Sequence, residues 1–257
     1  MTDELLIQHD RQVRGTLAER LPKSWNAQWD GPVLLARTPF RSMAFAQHLD
    51  DLSVADLDAV IARVRDRGVT VEWKTYGHDR PDLVERLRLA GFVPEDQETV
   101  LIGLAADLTG AGEAPDGVSI RATTDPADLR RIGAMESQVW GIDLSSLADD
   151  LRDRIEATPD DVVVFVAEAD GEVVSAAWMP IFPGTEFAGL WGGSTLPAWR
   201  RKGIYRALVA RRARVATERG VRYLMVDASD NSRPILARLG LRAVTTTTPW
   251  VWTPVAE

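Results

Sequence analysis

The pattern of apolar and polar positions is most legible in the second half of the chain. "DPADLRRIGAMESQVW" (125–140) predicts a helix opened by Asp125-Pro126. "VVVFVAEADGEVVSAAWMPIF" (162–182) is two β-branched runs about Asp170-Gly171 and predicts a hairpin. "FAGLWGGSTL" (187–196) predicts a strand weakened by glycine, where another backbone or a ligand can come close. A helix from Ile204 to Arg219 follows, then a strand "VRYLMVDAS" (221–229). A short helix around "SRPILARLG" (232–240) and a last strand "AVTTTTPWVW" (243–252) complete the alternation. The pattern is that of an α/β protein with a mixed sheet.

The first half repeats part of this pattern. "DRGVTVEWKTYGHDRPDLVERLRLAGF" (66–92) matches "ERGVRYLMVDASDNSRPILARLGL" (218–241). Each reads as helix end, Gly, strand, polar turn with an Arg-Pro pair, helix, Gly and strand. Between the halves, "AADLTGAGEAPDGV" (105–118) combines Gly, Pro, Asp and Thr without an apolar period and reads as a linker. The expected organisation is an N-terminal part over 1–105, a linker over 106–117 and a C-terminal domain over 118–257.

Composition then narrows the chemistry. With no cysteine, disulfides, thiolate metal sites and a cysteine nucleophile are excluded. The histidines, His9, His48 and His78, lack metal-ligand spacing, so no metal is expected. "MTDELLIQHDRQVRG" has no signal-peptide apolar region, and no apolar run approaches the ~20 residues of a membrane span. A cytoplasmic protein without a membrane partner is expected. A formal charge of −8 argues against general nucleic-acid binding.

Residues 200–222 break that acidic balance with nine Lys/Arg against one acid, Glu218. The distal arginines read as a solvated helix face. In "PAWRRKGIYRALV" (197–209), however, Arg200, Arg201 and Lys202 stand directly against Gly203 at a helix start. The first helical turn leaves about four N–H groups without partners, and the macrodipole adds positive potential there. A glycine lets those amides approach a ligand closely. Together these features predict a phosphate or pyrophosphate site. The spacing is neither that of a Walker loop nor that of a dinucleotide fingerprint.

The order strand, Pro197, basic residues, Gly203 and helix resembles the GNAT superfamily of acyl-CoA-dependent N-acetyltransferases. Its Arg/Gln-x-x-Gly-x-Gly/Ala signature is matched at Arg200-Arg201-Lys202-Gly203, with Tyr205 departing at the sixth position. The resemblance covers roughly residues 118–252. It implies a duplicated GNAT fold whose first half is a degenerate copy lacking the loop, as in tandem GNAT proteins. It also implies acetyl-CoA as co-substrate. The backbone around Ser194, Thr195 and Leu196 would lie along the pantetheine arm. The amides of Arg201, Lys202, Gly203, Ile204, Tyr205 and Arg206 would hold the pyrophosphate, with charge from Arg200 and Lys202.

The family's usual proton donor, a tyrosine in the helix after the fifth strand, aligns with Leu236, and its frequent strand glutamate is replaced by Trp191-Gly192-Gly193. Asp227, ending the apolar run "YLMV", is the first substitute as a base; Ser229 is a possible relay. Glu136 is a further carboxylate able to reach the acceptor from its helix, and Tyr205 a possible thiolate donor. Trp140, Trp178 and Trp191 are candidates for an aromatic wall that binds a flat or cationic amine, with Trp250 and Trp252 bordering the same cleft. The expected function is N-acetyl transfer to a small-molecule primary amine by a monomer or homodimer. An acyl-CoA sensor without turnover and a protein-lysine acetyltransferase are the alternatives.

Overall fold

The structure is a computed structural model that describes residues 2–21, 25–38 and 41–254. In chain order, α1 (Thr2–His9) and α2 (Leu17–Arg20) precede β1 (Gln28–Asp30), β2 (Val33–Arg37) and β3 (Ser42–Ala46). Next come α3 (Val54–Arg65), β4 (Val71–Tyr76), α4 (Leu83–Leu89), β5 (Val93–Pro94) and β6 (Glu98–Leu104). The middle of the chain supplies α5 (Ala105–Leu108), β7 (Ser119–Thr123), α6 (Pro126–Trp140), α7 (Leu147–Ala157), β8 (Val162–Ala169) and β9 (Glu172–Pro180). It ends with β10 (Phe187–Gly189), β11 (Trp191–Thr195), α8 (Ile204–Glu218), β12 (Tyr223–Ala228), α9 (Arg233–Arg238) and β13 (Arg242–Trp252).

Contacts group the chain into two compact units. The first comprises residues 1–101, 227–235 and 243–257; the second comprises 102–226 and 236–242. These boundaries differ from the expected division at 106–117. The last strand is the reason: Thr247–Trp252 of β13 pairs antiparallel with Tyr76–Val71 of β4, inside the first unit. Trp250 is 3% exposed in that unit's core, and Trp252 packs against the same cluster. Both therefore belong to the first unit, whereas the sequence set them in the C-terminal part.

In the first unit the strands run in the order β1-β2-β3-β4-β13-β6. Leu57, Val60, Ile61 and Val64 recur at helical spacing on α3 and bury against Val71 and Trp73 of β4. Ser53 caps α3 by accepting the Asp56 N–H.

In the second unit β11, β9, β8 and β7 form an antiparallel sheet in that order. The β8–β9 hairpin turns through Asp170 (φ 52) and Gly171 (φ 80), as the sequence predicts. α6 and α7 lay Leu129, Ile132, Met135, Leu147 and Leu151 on Val162, Val164, Val166 and Ala176. Segment 106–117 is not a free linker: α5 packs on α8, and Leu108 and Ala111 are buried. The Arg206 Nε donates to the Ala111 carbonyl and the Arg214 Nε to that of Thr109, both at 3.0 Å.

The repeat survives folding as matching helix ends. Phe92 N–H closes onto the Leu87 carbonyl across Gly91 (φ 88), and Leu241 N–H onto Leu236 across Gly240 (φ 104). Leu87 and Leu236 occupy the same place in the two copies, and both are fully buried. Leu236 is a packing residue.

Candidate functional site

The predicted strand 187–196 is two strands. β10 pairs parallel with β12, from Phe187↔Tyr223 to Gly189↔Met225, and the Leu190 N–H donates to Met225 at 2.8 Å. β11 instead pairs antiparallel with β9. One run of chain thus passes from one sheet to another at Leu190. Leu196 N–H donates to the Val174 carbonyl, and Ser175 donates its hydroxyl to the Ser194 carbonyl. These bonds fix the Ser194–Leu196 backbone just before the basic loop.

The loop itself is built from unusual backbone. Pro197–Trp199 make a single 3-10 turn, Arg200 is extended, and Arg201 (φ 63) and Gly203 (φ 91) are both left-handed. A non-glycine residue held there costs on the order of 1–3 kcal/mol, so the surrounding structure must impose it. The first bond of α8 runs from Ala207 N–H to the Gly203 carbonyl. By helix geometry the amides of Ile204, Tyr205 and Arg206 precede the ladder. A Cβ on Gly203 would meet nothing within 4 Å, so the backbone there faces open space. Arg200, Arg201 and Lys202 are exposed, and among the described residues none is paired with a carboxylate. The Arg200 Nε instead fixes the loop by donating to Thr195 O, and the Lys202 ammonium lies 4.2 Å from the Trp199 ring centroid. Uncompensated cations, free amides and a side-chain-free approach fit a phosphate-bearing ligand such as coenzyme A.

β11 carries a bulge that sorts its side chains. Trp191 stands opposite Trp178 and Ser194 opposite Ala176, with a register shift between them. Trp178 and Ala176 are two apart on β9 and share a face, so Trp191 and Ser194 share it too, although three residues apart. That is the face covered by α6 and α7. The Trp178 ring lies so close on Gly192 (φ 59) that a Cβ there would fall 1.9 Å from it. Trp191 packs at 6.2 Å from Phe182 and 5.8 Å from the Arg154 guanidinium, which Asp150 holds at 2.7 Å. From α6, Glu136 is 2% exposed, and its Oε2 accepts the Trp140 indole N–H at 2.9 Å. Burial pushes the Glu136 carboxyl up to about 7, a rise that Ser194 and Trp140 partly offset. Trp178 and Trp191 thus share one face of the sheet, and Trp140 joins it through Glu136 on the covering helix.

The opposite face of β11 holds a group the sequence misplaced. Arg212 is fully buried on α8, not part of a solvated face. It donates to the carbonyls of Leu208, Trp178 and Trp191, and desolvation lowers its guanidinium to about 10. Tyr205 packs its ring edge against Gly193, and burial raises its phenol. Nothing in the sequence distinguished Arg212 from its eight basic neighbours.

Asp227 and Ser229 belong to the first unit, whereas Ser194–Arg206 belong to the second. The Asp227 Oδ2 is ion-paired with Lys74 Nζ at 2.6 Å, and its Oδ1 is buried without a partner. Burial, and then the nearby Asp227, push the Glu98 carboxyl up to about 7. Ser229 turns the chain into α9, its carbonyl accepting the N–H groups of Ser232 and Arg233.

Residues 131–241 match the model of the acetyltransferase (GNAT) family. A GCN5-related N-acetyltransferase from Kribbella flavida is similar, with TM-score 0.72, 18% identity and 95% of each chain covered. One from Sphaerobacter thermophilus has TM-score 0.67 and 14% identity over 100% of this chain and 93% of that one. A tandem GNAT protein from the clavulanic acid biosynthesis pathway has TM-score 0.62 and 13% identity, covering 88% of this chain and 79% of its own. At these identities the likeness shows the fold, a mixed α/β GNAT architecture. No curated protein matches the chain significantly. No described helix is long and apolar enough to cross a membrane.

Proposed function

We propose that the protein transfers an acetyl group from acetyl-CoA to the primary amine of a small molecule. The observation that carries this reading is the loop at Arg200–Arg206, with two left-handed residues and three cations that have no carboxylate partner among the described residues, at the start of α8. The amides of Ile204, Tyr205 and Arg206 would hold the pyrophosphate, Arg200, Arg201 and Lys202 would supply charge, and Ser194–Leu196 would run beside the pantetheine arm. The first unit, with the repeat but no such loop, is read as the degenerate half and binds no donor.

Coenzyme A supplies the acyl group as a thioester. The neutral amine nitrogen attacks the carbonyl carbon, a C–N bond forms, the C–S bond breaks, and the proton that nitrogen loses is balanced by the one the departing thiolate takes up. A thiol of pKa near ~8.5 leaves tolerably at neutral pH. The buried Leu236 at the usual tyrosine position therefore slows the reaction without forbidding it. A general acid contributes about 10²–10⁴-fold where one is present. Trp140, Trp178 and Trp191 favour a flat or cationic acceptor, and so does the net charge of −8.

Thiol release from acetyl-CoA, measured with a panel of primary amines and checked for amide by mass spectrometry, tests the reading. Amine-dependent release matched by amide is expected. Tight acetyl-CoA binding without release for any amine would instead favour a sensor.

A further inference from the structure

Glu136 is a buried carboxyl that the fold leaves half satisfied. Its Oε2 takes the Trp140 indole N–H, while its Oε1 is buried with no partner at hydrogen-bond distance; the Ser194 side chain lies near enough to favour the charged form. Among the described residues no Lys or Arg is paired with it. A group in that condition destabilises the protein, so a structural role accounts poorly for it. α6 packs on β9, β11 and α7. β11 offers no titratable side chain, and the one on β9, Glu172, opens that strand at its far end. α7 offers Arg154, already engaged by Asp150.

The carboxyl meets Trp140 and Ser194, on the layer where α6 covers β9 and β11. Trp140 touches it, Trp178 lies on Gly192, and the bulge turns Trp191 and Ser194 to the same face. A buried acid with one oxygen unpartnered and no cation paired with it is a site for a cation from outside. Trp140, which binds the other carboxyl oxygen, is itself 62% exposed, so the carboxyl lies one side chain from the surface.

We propose that Glu136 is the acceptor-binding carboxylate: it receives the ammonium of a primary amine at Oε1 and takes its proton. The reaction steps rest on the acyl-transfer reading. The proton passes from nitrogen to Oε1, giving a neutral amine and a carboxylic acid. The freed lone pair attacks the thioester carbon, and the C–S bond breaks. The second N–H proton lost on forming the amide balances the one the thiolate gains, and Glu136 returns its own to solvent. Burial sets this carboxyl at about 7, where it changes state in the neutral range.

The test compares wild type with Glu136→Gln, whose amide oxygen still accepts the Trp140 N–H, and with Glu136→Asp, which retracts the charge by one methylene. Phenethylamine, tryptamine, histamine and putrescine are titrated calorimetrically at pH 6 and 8.5, with and without saturating coenzyme A. At least one should bind the wild type, more tightly at pH 8.5. Glu136→Gln should weaken it at least tenfold and flatten the pH dependence, with coenzyme A affinity unchanged. Glu136→Asp should fall between. In turnover, kcat/KM should rise through pH 7 in the wild type and fall about 10²–10³-fold in Glu136→Gln. Failure of every amine to bind the wild type, or equal binding by Glu136→Gln, overturns the assignment. Glu136-dependent amine binding without thiol release upholds the acceptor site and sinks acyl transfer. Undiminished release by Glu136→Gln does the reverse.

Discussion

Gly203→Val is expected to lower coenzyme A affinity by more than a hundredfold in a protein that still folds. The position has φ 91, and a Cβ there meets no protein atom within 4 Å. The substitution therefore adds backbone strain of about 1–3 kcal/mol but no internal clash. The added methyls project into the space where a pyrophosphate would approach the amides of α8. Gly220, at the other end of the same helix, supplies the control: φ is 76 and its Cβ space is equally empty. Gly220→Val should cost similar stability and leave coenzyme A binding intact. Equal loss of affinity in both variants would mean that strain, not obstruction, is being measured.

Gly192→Ala is expected to destabilise the protein by about 3 kcal/mol and to cut amine-dependent turnover more than tenfold. Two effects add: a left-handed φ of 59, and a Cβ 1.9 Å from the Trp178 ring. Strand β11 has to shift, and with it the bulge that gathers Trp191 and Ser194 onto one face. Trp178→Ala removes the obstacle, so Gly192→Ala should cost at least about 1 kcal/mol less in that background, measured by denaturant unfolding. Strict additivity of the two substitutions would show that the ring is not what holds Gly192 free of a side chain.

Local chemistry was legible in the sequence wherever a short stretch determines it. Asp170-Gly171 marked its turn, Asp125-Pro126 opened α6 with the Asp125 side chain accepting the Ala127 N–H, and Gly203 opened α8. The basic loop was legible because its amides, charges and glycine are contiguous. What escaped depends on partners far along the chain. The split of 187–196 at Leu190 is set by pairing with β9 on one side and β12 on the other, which no local alternation encodes. Asp227 looked like a free acid until Lys74, 153 residues away, supplied its counterion. Arg212 reads like its neighbours on the helix, and only packing shows it buried. The placement of β13 in the first unit likewise rests on six register partners in β4.

Calorimetric titration of the full chain with coenzyme A tests the central claim most directly. The proposed donor loop stands in the second unit and has no counterpart in the repeated segment of the first, which predicts a single site per chain. A stoichiometry of two, or no binding at all, would contradict the assignment of the donor to residues 200–206.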